Sequence, residues 1–273
     1  MTCFTKDSLR NFIKPLADKH IHASNILKKL NDDSDLSFLL KCADKYRDFC
    51  ESFDLHDLKK TVKAWNAYLD FVRKENKSYS AQSKFESTIL EESIYRMFAD
   101  LENENIKIGQ IKAYSNLYFC PYDFESFQRE SRVKMNVKDQ DFAIYKKVSL
   151  SINDAVEKID TFVPVIAIEC KTYLDKTMLE GSIATAEKIK IGNPYCRFCI
   201  VTEFYEVDKN VDIKHSRIDQ IYVLNKDAKR KTSISSNIQT DVVERIYKET
   251  NKHLRQKWSD VENNIKNNGI VID

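Results

Sequence analysis

Residues 163–172, VPVIAIECKT, constrain the fold more than any other stretch of the chain. Successive side chains of a strand point to opposite faces. One face carries Val163, Val165, Ala167, Glu169 and Lys171, and the other carries Ile166, Ile168 and Cys170. Apolar residues on both faces mean a strand covered on both sides. The two charges arrive only at its C-terminal end, where the reactive groups of α/β sheets gather. A carboxylate and an ammonium entering a core together need a partner or a task.

The surrounding pattern sets the architecture. Residues 5 to 75 carry apolar residues at helical spacing throughout, as in SDLSFLLKCADKYRDFCESF and DLHDLKKTVKAWNAYLDFVRKEN, with Ser34 and Asp54 as expected N-caps. KENKSYSAQS then reads as a linker, and SKFESTILEESIYRMFADLENE as one more helix. Strands are expected in IKIGQIKAYSNLYFC, DFAIYKKVSL, VPVIAIECKT, RFCIVTEF and IDQIYVLNK, rich in Ile, Val, Tyr and Phe. A helix over LDKTMLEGSIATAEKIK, with Leu179, Ile183, Ala186 and Ile189 as its stripe, separates the third and fourth strands, and a single long helix over residues 240–268 closes the chain. The expected fold is therefore α/β: a mixed β-sheet flanked by helices, with an all-helical N-terminal section. The expected division is residues 1–78 for that section and 79–273 for the core.

Composition excludes several classes. With 42% hydrophobic and 32% charged residues the chain is globular rather than disordered. No apolar run approaches the ~20 residues of a membrane helix, and the N-terminus lacks an apolar signal region, so no membrane role and a cytoplasmic, bacterial location are expected. Seven scattered cysteines fit reduced core thiols. The Cys196–Cys199 CxxC has no second pair with which to build a zinc site. A net charge of +2 does not announce nucleic-acid binding in bulk.

If strands 141–150 and 163–172 pair as an antiparallel hairpin around residues 151–162, the start of one lies beside the end of the other. Asp141 then comes close to Glu169 and Lys171. Asp139 is a near rival, and Asp154 would sit in the far loop. Two carboxylates at one point repel unless a cation joins them, and hard oxygen donors suit Mg²⁺, with Mn²⁺ as a substitute. A neighbouring lysine can orient a water, and the ion can offset charge on a phosphoryl oxygen.

SKFESTILEESIYRMF, AYSNLYF, KDQDFAI and IECKTYLDKTMLEGSIATAEKIK, in this order, resemble the Type II restriction endonucleases of the PD-(D/E)xK nuclease superfamily. The resemblance covers roughly residues 80 to 205, with Gln140 where the motif has proline. It implies Asp141 and Glu169 as Mg²⁺ ligands, Lys171 as the catalytic lysine, double-stranded DNA as substrate and 5′-phosphate ends. Such enzymes often bring a helix glutamate to the metal. On a helical wheel of about 100° per residue, Glu86 lies about 40° from the centre of its helix's apolar stripe and Glu91 about 100°, while Glu92 faces away. Geometry favours Glu86, and the family pattern leaves Glu91 open.

DNA contacts are expected from Lys226, Lys229, Arg230 and Lys231, with Lys209, Lys214, His215, Arg217, Lys188 and Lys190 as further cations. Cutting both strands calls for a homodimer, or for a heterodimer with a second nuclease subunit. The competing functions are a repair or recombination nuclease of the same superfamily and a non-catalytic DNA-binding subunit.

Overall fold

The computed structural model describes residues 5–32, 36–75, 85–129, 132–151, 158–226, 237–269 and 271. Four helices open the chain: α1 (Lys6–Ala17), α2 (Ile21–Asn31), α3 (Leu36–Glu51) and α4 (Leu58–Glu75). Then come α5 (Phe85–Phe98), β1 (Lys107–Phe119), α6 (Phe124–Arg129), β2 (Val133–Ser151), β3 (Lys158–Leu174), α7 (Lys176–Gly192), β4 (Arg197–Tyr205), β5 (Gln220–Val223), α8 (Thr240–Arg255) and α9 (Val261–Asn268). The strands form one sheet in the order β1-β2-β3-β4-β5. The first three run antiparallel to their neighbours in that order, and β3, β4 and β5 are parallel. This is the mixed sheet expected.

Strand β3 is buried on both faces, as its sequence requires. Ala167, with Ala143 and Ile200, faces α7 through Leu179, Ala186 and Ile189. Ile166, Ile168 and Cys170 face a larger core that contains Ile89 and Phe98 of α5, Val243 and Ile246 of α8, and Tyr46 and Trp65 of the N-terminal helices. The N-terminal helices thus pack on α5, and α5 packs on the sheet. Asn66 of α4 also grips the backbone N–H and C=O of Ile238, just before α8.

Several expectations are corrected. Helix α5 is not one-sided: Thr88, Glu91, Glu92 and Ser93 are buried along with its apolar stripe. Glu92 faces the N-terminal helices, where its carboxylate accepts from Tyr46 Oη at 2.7 Å and Arg96 Nε at 2.8 Å. The cap of α4 is Asp57, whose Oδ1 accepts from Lys60 N. Asp54 instead accepts from His56 N in the preceding turn. Residues 152–157 alone separate β2 from β3, because pairing continues to Ser151↔Lys158. The closing helix breaks after Arg255, where Gln256 turns extended and the Trp258 indole N–H donates to the His253 carbonyl. That bond satisfies a C-terminal carbonyl of the helix in place of a further turn. The expected linker at 74–83 and the Ser34 cap fall almost wholly or wholly outside the described residues.

His22 ties α2 to α4 and α5. It is fully buried, with Nδ1 3.0 Å from Thr88 Oγ1 and Nε2 2.7 Å from Tyr68 Oη. Thr88 gives its own proton to the Phe85 carbonyl, so Nδ1 carries the imidazole proton and Nε2 accepts from Tyr68. Burial lowers the His22 pKa to about 3. The unfolded chain takes up this proton near pH 6.5, and the folded chain does not until far lower. Stability from this site is therefore present above pH 6.5 and is lost as the pH falls toward 3. Urea unfolding between pH 6 and pH 4 should show the dependence of stability on pH shallower in His22→Gln than in the wild type, by about 1.4 kcal/mol per pH unit.

Candidate active site

The site begins with a break in strand pairing. On β1 and β2, Gly109 pairs with Ala143 and Ile111 with Gln140. Gln110 alone therefore stands opposite both Asp141 and Phe142, a β-bulge on β2. On the other side, the β2–β3 ladder ends at Phe142↔Ile168. Asp141 belongs to neither ladder and stands where β2 leaves β3. Gly109 has φ 127°, a left-handed backbone that glycine adopts without strain.

Asp141, Glu169 and Lys171 meet at this crevice. Asp141 Oδ2 accepts the backbone N–H of Cys170 at 2.9 Å. Lys171 Nζ lies 3.8 Å from Asp141 Oδ2 and 3.6 Å from Glu169 Oε2. These are ion-pair distances beyond ordinary hydrogen-bond length. Ser182 of α7 donates to Glu169 Oε2 at 2.5 Å. Burial works to lower the Lys171 pKa, but the Glu169 and Asp141 carboxylates outweigh it and hold the lysine above its ordinary value. Burial, with Asp141 and then Glu91 nearby, pushes the Cys170 thiol well above its own.

The helix glutamates part company. Glu91 is 7% exposed and accepts from Gln110 Nε2 at 2.7 Å. It shares with Asp141 a cavity of about 380 Å³, also lined by Lys19, His20, Tyr95 and Gln110. Glu86 instead accepts from Arg73 Nε at 3.2 Å. Arg73 also clasps both carboxylate oxygens of the buried Glu203 on β4. The wheel ranked Glu86 by distance from one apolar stripe; in the structure Glu86 meets Arg73, while Glu91 lines the cavity beside Asp141.

Asp139 is exposed on the ribbon opposite Lys112. Asp154, Lys229, Arg230 and Lys231 lie outside the described residues. Lys226 pairs with Asp241 at the start of α8, and Lys190 with Asp219. Lys188, Lys209, Lys214, His215 and Arg217 are exposed. Cys196 and Cys199 are buried, and burial raises both thiols, Cys199 to about 12. Sequence reasoning missed Ser182 and Gln110. A serine beside an apolar helical stripe, and a glycine inside a strand, were their signals.

Comparison with known proteins decides what carries this site. The Bpu10I restriction endonuclease family matches residues 82–258, which span the α5 glutamates, the bulge and the β3 charges. The chain belongs to the Bpu10I restriction endonuclease family. It is a Type II site-specific deoxyribonuclease, as the resemblance implied. A chain of the native BbvCI A2B2 tetramer, solved at low resolution, shares the fold with a TM-score of 0.69 at 20% identity. The alignment covers 87% of this chain and 96% of that one. No curated protein matches the sequence. No helix among the described residues is long and apolar enough to cross a membrane.

The Arg73 clasp gives a stability test. Arg73→Ala strands the buried Glu203 carboxylate and should lower the unfolding free energy by about 3–5 kcal/mol. Glu86→Gln should cost on the order of 1 kcal/mol or less, because Glu86 is partly exposed and Arg73 keeps Glu203. Urea unfolding of the two variants measures both.

Proposed function

We propose that this restriction endonuclease hydrolyses the phosphodiester bonds of double-stranded DNA with Mg²⁺, leaving 5′-phosphate and 3′-hydroxyl ends, and that the crevice at Asp141 is where it cuts. The observation that carries the reading is the meeting of Asp141, Glu169 and Lys171 where β2 leaves β3. The donors suit the ion: both acids offer hard carboxylate oxygens. Among the described residues no three His, Cys, Asp or Glu side chains form a full ligand cage. Mg²⁺ does not ask for one, since it typically takes one or two carboxylates plus substrate phosphate and water. Asp141 and Glu169 would hold it, with Mn²⁺ as a substitute. When bound, the ion supplies Lewis-acid stabilisation of charge on the phosphoryl oxygens.

The protein's own groups do the rest. The Cys170 N–H fixes Asp141, and Ser182 binds Glu169. Lys171 stands beside both carboxylates and brings a positive charge to the crevice. It orients the attacking water and offsets the charge that builds up on the phosphate. The water oxygen bonds to phosphorus in line, the bond to the 3′ oxygen breaks, that oxygen takes a proton, and the water's proton leaves to solvent. Glu91, held by Gln110, is the helix carboxylate assigned to this site in preference to Glu86.

Two strands require two such sites. The similar BbvCI chain belongs to an A2B2 tetramer, which supports a heteromeric assembly here in preference to a homodimer. Exposed cations such as Lys188, Lys214 and Arg217 would contact the DNA backbone, with Lys226, Lys229, Arg230 and Lys231 as weaker candidates. The family match over residues 82–258 supports reading 79–273 as the nuclease core, with residues 1–78 a helical region for dimerisation or DNA contact, in a cytoplasmic, bacterial enzyme.

The test is cleavage of long unmethylated DNA by the assembled enzyme, in Mg²⁺ and in EDTA, beside Lys171→Ala. Discrete fragments that require Mg²⁺, with at least about a hundredfold loss of rate in the variant, are expected. Full cleavage in EDTA, or by Lys171→Ala, would overturn the reading.

A further inference from the structure

Helix α7 lays an apolar face on the sheet through Leu179, Ala186 and Ile189. Ser182 sits on that face at 1% exposure, where alanine would pack as well and bring no polar atom. A buried hydroxyl is costly unless it is hydrogen-bonded. Inside a helix the ready acceptor is the carbonyl four residues back. Thr185 takes it, bonding Gly181 O at 2.9 Å, and so does Ser93 in α5, bonding Ile89 O at 2.8 Å. Ser182 does not. Its hydroxyl crosses from the helix to the strand and donates to Glu169 Oε2 at 2.5 Å.

The choice of oxygen matters. Oε2 is also the atom that Lys171 Nζ approaches to 3.6 Å. Oε1 takes no hydrogen bond from the described residues, which leaves it as the oxygen turned to a ligand. Ser182 donates to that oxygen at hydrogen-bond length, while Lys171 stands farther off between Glu169 and Asp141.

We propose that Ser182 is a positioning residue: its hydroxyl fixes the Glu169 carboxylate so that one oxygen faces the divalent ion and Lys171 remains available to water and phosphate. The proposal rests on the reading of Glu169 as a metal ligand.

The test is direct Mn²⁺ binding to the purified full-length protein without DNA, followed by the electron paramagnetic resonance of free Mn²⁺. Wild type, Ser182→Ala, Ser182→Thr and Glu169→Gln are compared, with thermal melting to show that each is folded. Loss of an outer hydrogen bond to a metal ligand typically weakens binding about 10- to 100-fold. That weakening is expected for Ser182→Ala at an unchanged melting temperature, with Ser182→Thr returning close to the wild-type value. Wild-type Mn²⁺ affinity in Ser182→Ala, with weakened binding in Glu169→Gln, would overturn the role of Ser182 alone. So would a Ser182→Thr that binds no better than Ser182→Ala. Unchanged binding in Glu169→Gln would overturn the ligand reading and this proposal together.

Discussion

The structure turns on one extra residue. With Gln110 facing both Asp141 and Phe142, β2 bends away from β3 and leaves a carboxylate outside every ladder. A regular strand would have paired Asp141 with β1 on one side and β3 on the other. The bulge frees it to accept the Cys170 N–H and to stand by Lys171. Strand β3 can bring Glu169 and Lys171 to the same point because apolar residues bury it on both faces, so its charges emerge only at the end. Bulges re-aim side chains at many active sites, and here the bulge brings together acids that are far apart in sequence.

Helix α5 connects this point to the rest of the molecule. Its three glutamates leave the helix in different directions. Glu86 goes to Arg73 of α4, Glu91 to Gln110 of β1, and Glu92 to Tyr46 of α3 and Arg96. A helix held between a sheet and a helical layer has little solvent face, so its buried carboxylates Glu91 and Glu92 need their own donors. Arg73 extends the chain of contacts to Glu203 on β4, next to β3. The N-terminal helices are therefore joined to the sheet by charged contacts as well as by core packing.

Much of this was legible in the residues. The alternation in VPVIAIECKT requires a doubly covered strand, and the antiparallel register that puts Asp141 beside Glu169 is the one the structure adopts. The mixed sheet and the helical N-terminal section also follow from periodicity. The rest was hidden for physical reasons. A bulge shifts the alternation by one residue, but Phe142, Ala143 and Ile144 are apolar on both faces and hide the shift, so Gly109 was its main trace. A helical wheel assumes one core, so it ranked Glu86 above Glu91 and turned Glu92 away from a layer of helices that buries it. The break between α8 and α9 needs neither proline nor glycine. It follows from a Trp258 indole that captures a helix-end carbonyl, a contact that periodicity does not encode. Ser182 drew no reading because its partner lies on another element.

The proposed seat of a divalent ion is the crevice where β2 leaves β3. The most direct measurement replaces Mg²⁺ with Fe²⁺, adds ascorbate and peroxide, and maps by mass spectrometry where the protein backbone is cut by radicals released at the ion. The account predicts cuts confined to the neighbourhood of Asp141 on β2 and of Glu169–Lys171 on β3, suppressed by excess Mg²⁺. Cuts clustered elsewhere, or scattered cuts that Mg²⁺ does not suppress, would contradict it.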